Sequence, residues 1–178
     1  MNPSNMGKFH YPLTLTKNPN AMKKSIVIFT YCLLLAFSVA AQKINEVDAI
    51  KAVIEKETNA FFSIDYETWM NSWVHGPHAY WSYVDSTGIV QYEGWKAIEI
   101  GFTDYFITSK PAEFKVERVW QEIRVYGTGA FARFKQVVTA GGVRGGEQTE
   151  IRILEKEKNT WKIVLVGVLR NKKTEVLN

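Results

Sequence analysis

Residues 114–170 read FKVERVWQEIRVYGTGAFARFKQVVTAGGVRGGEQTEIRILEKEKNTWKIVLVGVLR. Four stretches within this segment, Phe114 to Tyr126, Ala130 to Ala140, Gln148 to Glu157 and Trp161 to Arg170, are rich in β-branched and aromatic residues. They repeat with a period of two, which is the pattern of strands. Only Gly127-Thr128-Gly129, Gly141 to Gly146 and Lys158-Asn159-Thr160 separate them. Connections this short join antiparallel neighbours, so the segment predicts a four-stranded meander. The tip Gly141-Gly142-Val143-Arg144-Gly145-Gly146 has neither the following helix nor the Lys-Ser/Thr pair of a phosphate loop, and it reads as a hairpin turn.

Upstream of the meander the period changes. From Ile44, apolar residues recur at Val47, Ile50, Val53, Ile54 and Phe61 with Glu46, Lys51, Glu55 and Lys56 between them, which predicts an amphipathic helix of about five turns. Asp65 offers an N-cap for a short second helix carrying Trp69, Met70 and Trp73, which Gly76-Pro77 ends. His78 to Asp85 and Ile89 to Glu93 flank Ser86-Thr87-Gly88 as a predicted hairpin. A third helix is expected from about Gly94, with Ala97, Ile98, Phe102, Tyr105 and Phe106 on one face and Lys110-Pro111 as its stop.

The first 41 residues have a different character. Lys23-Lys24 precede the uncharged run Ser25 to Phe37, and Ser38, Val39, Ala40 and Ala41 follow. Charged, apolar and small residues in that order predict a signal peptide, about Met22 to Ala41, behind an upstream extension. The competing reading is a membrane anchor, since Ser25 to Gln42 is at the lower limit for a span. The domain division expected is 1–41 for extension and signal peptide and 42–178 for a single domain, with export to the periplasm or medium and no membrane association after cleavage. The only cysteine, Cys32, falls in the segment to be removed, so the mature chain has no disulfide and no thiolate nucleophile. Residues 1–41 also hold four of the 22 basic residues and none of the 18 acidic ones. The remainder is formally neutral, and the pI of about 9.1 belongs to the leader. Nucleic-acid binding inferred from pI therefore has no footing.

Asp65 with Trp69 and Trp73, Asp85-Ser86-Thr87-Gly88, Glu93-Gly94-Trp95-Lys96-Ala97-Ile98 and Trp161-Lys162-Ile163-Val164, in the order helix, short helix, hairpin, helix and long strands, resemble the NTF2-like superfamily, with its SnoaL-like and ketosteroid-isomerase-like members. The resemblance runs from Ile44 to Arg170. It implies an α+β fold in which three N-terminal helices pack on a strongly bent, mostly antiparallel sheet of about six strands, forming a cone with an open pocket. Family members include isomerases, dehydratases, cyclases and ligand binders, so the fold leaves the chemistry open.

Asp85 stands where isomerase-like members keep a general-base carboxylate, and desolvation among Trp81, Tyr83 and Trp95 would raise its pKa for proton abstraction. Asp before Ser-Thr-Gly is equally a turn residue whose side chain accepts backbone N–H bonds, and that reading is preferred. His75 and His78 flank helix-breaking Gly-Pro with no third ligand evident, so no metal is expected, nor any other cofactor. His78 is a candidate proton donor or acceptor at the pocket rim. The expected ligand-binding set is His78, Trp81, Tyr83, Asp85 and Trp95. Leu165-Val166-Gly167-Val168-Leu169 is apolar on both faces, where many enzymatic family members carry polar residues, and it predicts a homodimer through the sheet face. The favoured function is binding of a small apolar or amphipathic molecule. An isomerase, dehydratase or cyclase using Asp85 or His78 is the alternative.

Overall fold

The computed structural model describes residues 46–170, which lie within one compact unit, Gln42–Asn178. The expected leader and its cleavage site fall outside the described residues. Helix α1 occupies residues 46–62. Its three-and-four spacing buries Ile50 and Ile54 completely, and the same face carries Glu57 and Thr58, both buried. Helix α2, Tyr66–Met70, is capped by Asp65, whose carboxylate accepts the Thr68 backbone N–H at 3.0 Å. The chain then touches the sheet at a single bridge, Trp73 beside Ile163. Helix α3, Trp95–Thr108, starts after Gly94 at φ 80°, a left-handed conformation that glycine adopts without strain.

Seven strands form one sheet: β1 Tyr80–Asp85, β2 Gly88–Glu93, β3 Phe114–Tyr126, β4 Gly129–Ala140, β5 Val143–Arg144, β6 Gln148–Glu157 and β7 Thr160–Arg170. Their order is β2-β1-β7-β6-β4-β3, with the short β5 paired to β4. The meander is antiparallel, and the β1–β2 hairpin joins it through one parallel pairing, Tyr80–Val84 beside Leu165–Leu169. Trp69, Trp73, Ile98, Phe134, Ile163 and Val166 are at most 2% exposed and form the core between the helices and the sheet.

The strongly bent cone expected from the family resemblance is not what forms. The sheet is open, with β2 and β3 as unjoined edges, and it is neither closed nor strongly curled. Strong curl needs repeated bulges or glycine bends. The register of the described strands breaks at only two places, Trp120/Glu122 and Ile153/Leu154. The strand count is seven rather than about six because the tip of the β4–β6 connection, expected as a turn, pairs as β5. Concavity comes instead from laying helices across one face of the sheet.

One helical glycine ties α3 to the hairpin. A β-carbon added at Gly101 would sit 2.5 Å from Cζ of Tyr92, whose ring lies over Trp81 with centroids 5.5 Å apart. Gly101→Ala gains about 1 kcal/mol of helix propensity, but overpacking against a confined ring costs about 1–3 kcal/mol. The variant should therefore be less stable than the wild type by urea denaturation; a gain in midpoint would show that Tyr92 moves freely.

Candidate functional site

Between the helices and the inner face of the sheet lies a cavity of about 150 Å³. Its wall is built by register. Across β1, β7 and β6, Trp81 pairs with Val166 and Val166 with Arg152; one step along, Tyr83 pairs with Val168 and Val168 with Glu150. Side chains at paired positions share a face, so the wall passes from aromatic through aliphatic to charged. Phe61 and Phe62 of α1, Trp69 of α2 and Phe102 of α3 close the apolar side. Phe102 meets Trp81 edge to face at 5.0 Å.

The charged side is a buried hydrogen-bonded cluster. Arg152 Nη2 lies 2.6 Å from Glu150 Oε2 and 3.5 Å from Glu57 Oε2. Gln136 and Gln148 both donate amide N–H bonds to Glu150 Oε1, the latter at 2.7 Å. Trp69 Nε1 donates to Glu57 Oε1 at 3.1 Å. Arg118 completes the group: its Nη2 donates to Gln136 Oε1 at 2.8 Å and to Thr58 Oγ1 at 2.9 Å. Its guanidinium also lies 4.5 Å from the centre of the Phe134 ring, a cation–π contact. Loss of solvent raises the pKa of Glu57, with Glu150 pushing the same way and Arg152, Trp69 and Arg118 opposing. Burial likewise lowers that of Arg118, which stays a cation.

The structure brings two of the five expected ligand residues to this cavity. Trp81 and Tyr83 line it from β1, and Tyr83 Oη accepts from Arg170 Nη1 at 3.3 Å. Asp85 is the last residue of β1, and its Oδ1 accepts the Thr87 hydroxyl at 2.6 Å and the Thr87 backbone N–H at 2.7 Å. Those bonds hold its pKa below the usual carboxylate range, opposite to what a general base requires. His78 is exposed, with Nε2 3.5 Å from Glu155 Oε2. Trp95 is half-buried and packs against the core, tilted against Trp69 at 5.5 Å and stacked with His75 at 4.3 Å. Neither His78, Asp85 nor Trp95 lines the cavity. Among the described residues no group of three His, Cys, Asp or Glu side chains is placed to hold a metal.

Glu57, Gln136, Gln148, Glu150 and Arg152 were not expected here. The signal was present in β6, where Gln148, Glu150 and Arg152 alternate with Thr149, Ile151 and Ile153. The usual alternation puts the polar face toward water; in β6 Glu150 and Arg152 are buried while Ile153 is 38% exposed.

No family model matches this sequence, and no curated protein does. Among solved structures, similarity extends over nearly the whole length of several proteins. An NTF2-like protein of unknown function from Shewanella baltica is 19% identical with a TM-score of 0.54, covering 72% of this chain and 96% of that one. Another, from Shewanella oneidensis, is 11% identical with a TM-score of 0.56, covering 70% and 98%. A candidate dehydratase of the NTF2-like family from Streptomyces avermitilis is 13% identical with a TM-score of 0.58, covering 72% and 97%. At such identities the likeness shows the fold: the chain has the NTF2-like fold.

The buried acid has a measurable signature. The raised folded-state pKa means that, above the ordinary value of 4.5, the folded protein holds a proton the unfolded chain has lost. Folding stability from this group is therefore present at low pH and lost as pH rises through the folded pKa. Glu57→Gln cannot ionise and keeps an acceptor for Trp69. The stability of the variant relative to the wild type should climb with pH above about 4.5 in urea titrations; a difference constant with pH would mean that burial does not control this group.

Proposed function

We propose that the protein binds a small amphipathic molecule in the cavity between its helices and its sheet. The observation that carries this is the division of the cavity lining into an apolar part, Trp81, Val166, Val168 and Phe102, and a charged part, Glu57, Glu150 and Arg152. Apolar area supplies affinity at about 25 cal/mol per Å² buried, and a few placed polar groups orient the ligand. Acid–base chemistry at Asp85 or His78 draws no support from this arrangement, since both lie away from the cavity and the Asp85 carboxylate is engaged by its own turn. Trp81→Ala should weaken binding of benzyl alcohol, a neutral single-ring amphipath, by about 1–3 kcal/mol in calorimetric titration, as for truncation of a buried aromatic contact. Asp85→Asn should leave it unchanged. The reverse pattern would move the site to the hairpin.

Export and dimerisation are part of the same proposal. The charged, apolar and small-residue order of Lys23 to Ala41 supports action outside the cytoplasm. For dimerisation, the support lies on the outer face, where Tyr80, Leu165, Ile153 and Phe131 are register partners across β1, β7, β6 and β4. This apolar row suits isologous pairing with a second copy. Val166 lies on the cavity side, so Leu165 is the residue to change. Leu165→Glu should convert a dimeric sedimentation profile to a monomeric one; a wild-type monomer at micromolar concentration would end the proposal.

A further inference from the structure

Arg152 is 4% exposed and lines the cavity, yet its Nε and Nη1 are buried with no hydrogen-bond partner among the described residues. A buried guanidinium N–H without an acceptor is costly and uncommon. The neighbours have little left to offer. The Gln136 carbonyl oxygen already takes two N–H bonds from Arg118. Glu150 Oε1 takes the amides of Gln136 and Gln148, and Glu57 Oε1 takes the Trp69 indole. Glu150 Oε2, 2.6 Å from Arg152 Nη2, is also buried without a hydrogen bond, so two open donors of Arg152 stand against one open acceptor that already faces the same guanidinium.

Charge bears on the same site. Two guanidinium groups, Arg118 and Arg152, stand with two carboxyl groups, Glu57 and Glu150, and burial raises the pKa of Glu57. Attraction between a guanidinium and an incoming anion is stronger in such a site than in water. Size sets the rest of the ligand. A cavity of about 150 Å³ matches the engineered apolar cavity that holds one benzene ring. Trp81 and Arg152 lie two strands apart in register, about 10 Å at ordinary strand spacing, so a single ring or a short branched chain spans from the aromatic wall to the guanidinium.

We propose that the cavity recognises a small monocarboxylic acid, its carboxylate taken by Arg152 and its single ring or branched chain packed against Trp81, Phe102 and Val166. This rests on the binding function proposed above. The test is calorimetric titration of the protein with benzoate, phenylacetate and isovalerate, each beside its primary amide, which has the same shape without the charge. At neutral pH the acids that bind should do so at least about tenfold more tightly than their amides, as expected when a charged acceptor meets buried charged donors. Arg152→Lys, which keeps the charge but loses the planar donor set, should weaken the acids about tenfold and the amides less than about twofold. Amides binding as tightly as acids, with both weakened by Trp81→Ala, would overturn the carboxylate and leave the cavity as the binding site. If acids, amides and benzyl alcohol all fail to bind at millimolar concentration, both proposals fall. The acid-to-amide comparison on the wild type needs no variant, so it decides the matter even where Arg152→Lys does not fold.

Discussion

Arg152 sits between Glu150 and Glu57 on the inner face of the sheet, and holding that guanidinium out of water is the constraint around which the remaining contacts are arranged. Removing ions from water costs several kcal/mol each, and mutual attraction offsets this only when the remaining donors and acceptors are also engaged. Four elements contribute to that engagement. Helix α1 brings Glu57 and Thr58, α2 the Trp69 indole, β4 Gln136 and β3 Arg118. The cluster therefore fixes how the helices lie on the sheet in a way that apolar packing, which is non-directional, does not. The bulge at Trp120/Glu122 sits next to it on β3. It falls after Arg118 and Trp120, so both still share the inner face with their β4 partners Gln136 and Phe134.

Most of the local structure was legible in the sequence because it depends on neighbours along the chain. The three helices, the hairpin and the four long strands follow from periodicity, from Asp65 as a cap and from Gly-Pro and Lys-Pro stops. Two features were not legible, and both are non-local. The parallel pairing of β1 with β7 joins residues about 85 positions apart, Tyr80 with Leu165, and no turn signal encodes it. The openness of the sheet depends on the summed twist and on where bulges fall, and the family resemblance pointed to the wrong curvature. The site was half legible for a related reason. Trp81 and Tyr83 are large aromatics on a strand, and their inward direction follows from packing alone. In β6 alternation alone does not tell which face is buried, because a charged side chain is buried only where other elements supply its partners, and here Glu57 of α1 and Gln136 of β4 supply them.

Asp85 and Trp95 show how position overrides residue type: the bonds of Asp85 are those of the preferred turn reading rather than of a general base, and Trp95, expected at the pocket, packs elsewhere. An Asp two residues before a Thr in a tight turn satisfies itself locally: the bond to the Thr87 hydroxyl stabilises the ionised carboxylate. Trp95 follows Gly94 at the start of α3, and its indole is taken up by the Trp69, Trp73 and His75 rings. Both residues serve the ends of secondary-structure elements. Many of the side chains that face the cavity come from within elements, Glu57 from α1, Phe102 from α3, Trp81 and Tyr83 from β1, and Glu150 and Arg152 from β6, while Phe61 and Phe62 close α1 and Gln148 opens β6.

That placement bears on what kind of site this is. Groups carried on the interiors of helices and strands are held more rigidly than groups on loops, and here they are further fixed by one another. A rigid, mostly apolar recess whose side chains are already held in place is well suited to recognition, because little ordering remains to oppose binding. It is less suited to proton transfer, which asks for an acid or base free to exchange its proton with a bound molecule. Burial raises the pKa of Glu57, but both of its oxygens already face donors, Trp69 Nε1 and Arg152 Nη2, which leaves little room for a reacting molecule at either oxygen. Under the binding function proposed above, the inner face of this sheet has charge and size as its means of selection, while the NTF2-like fold that carries it sets only where such a face can lie.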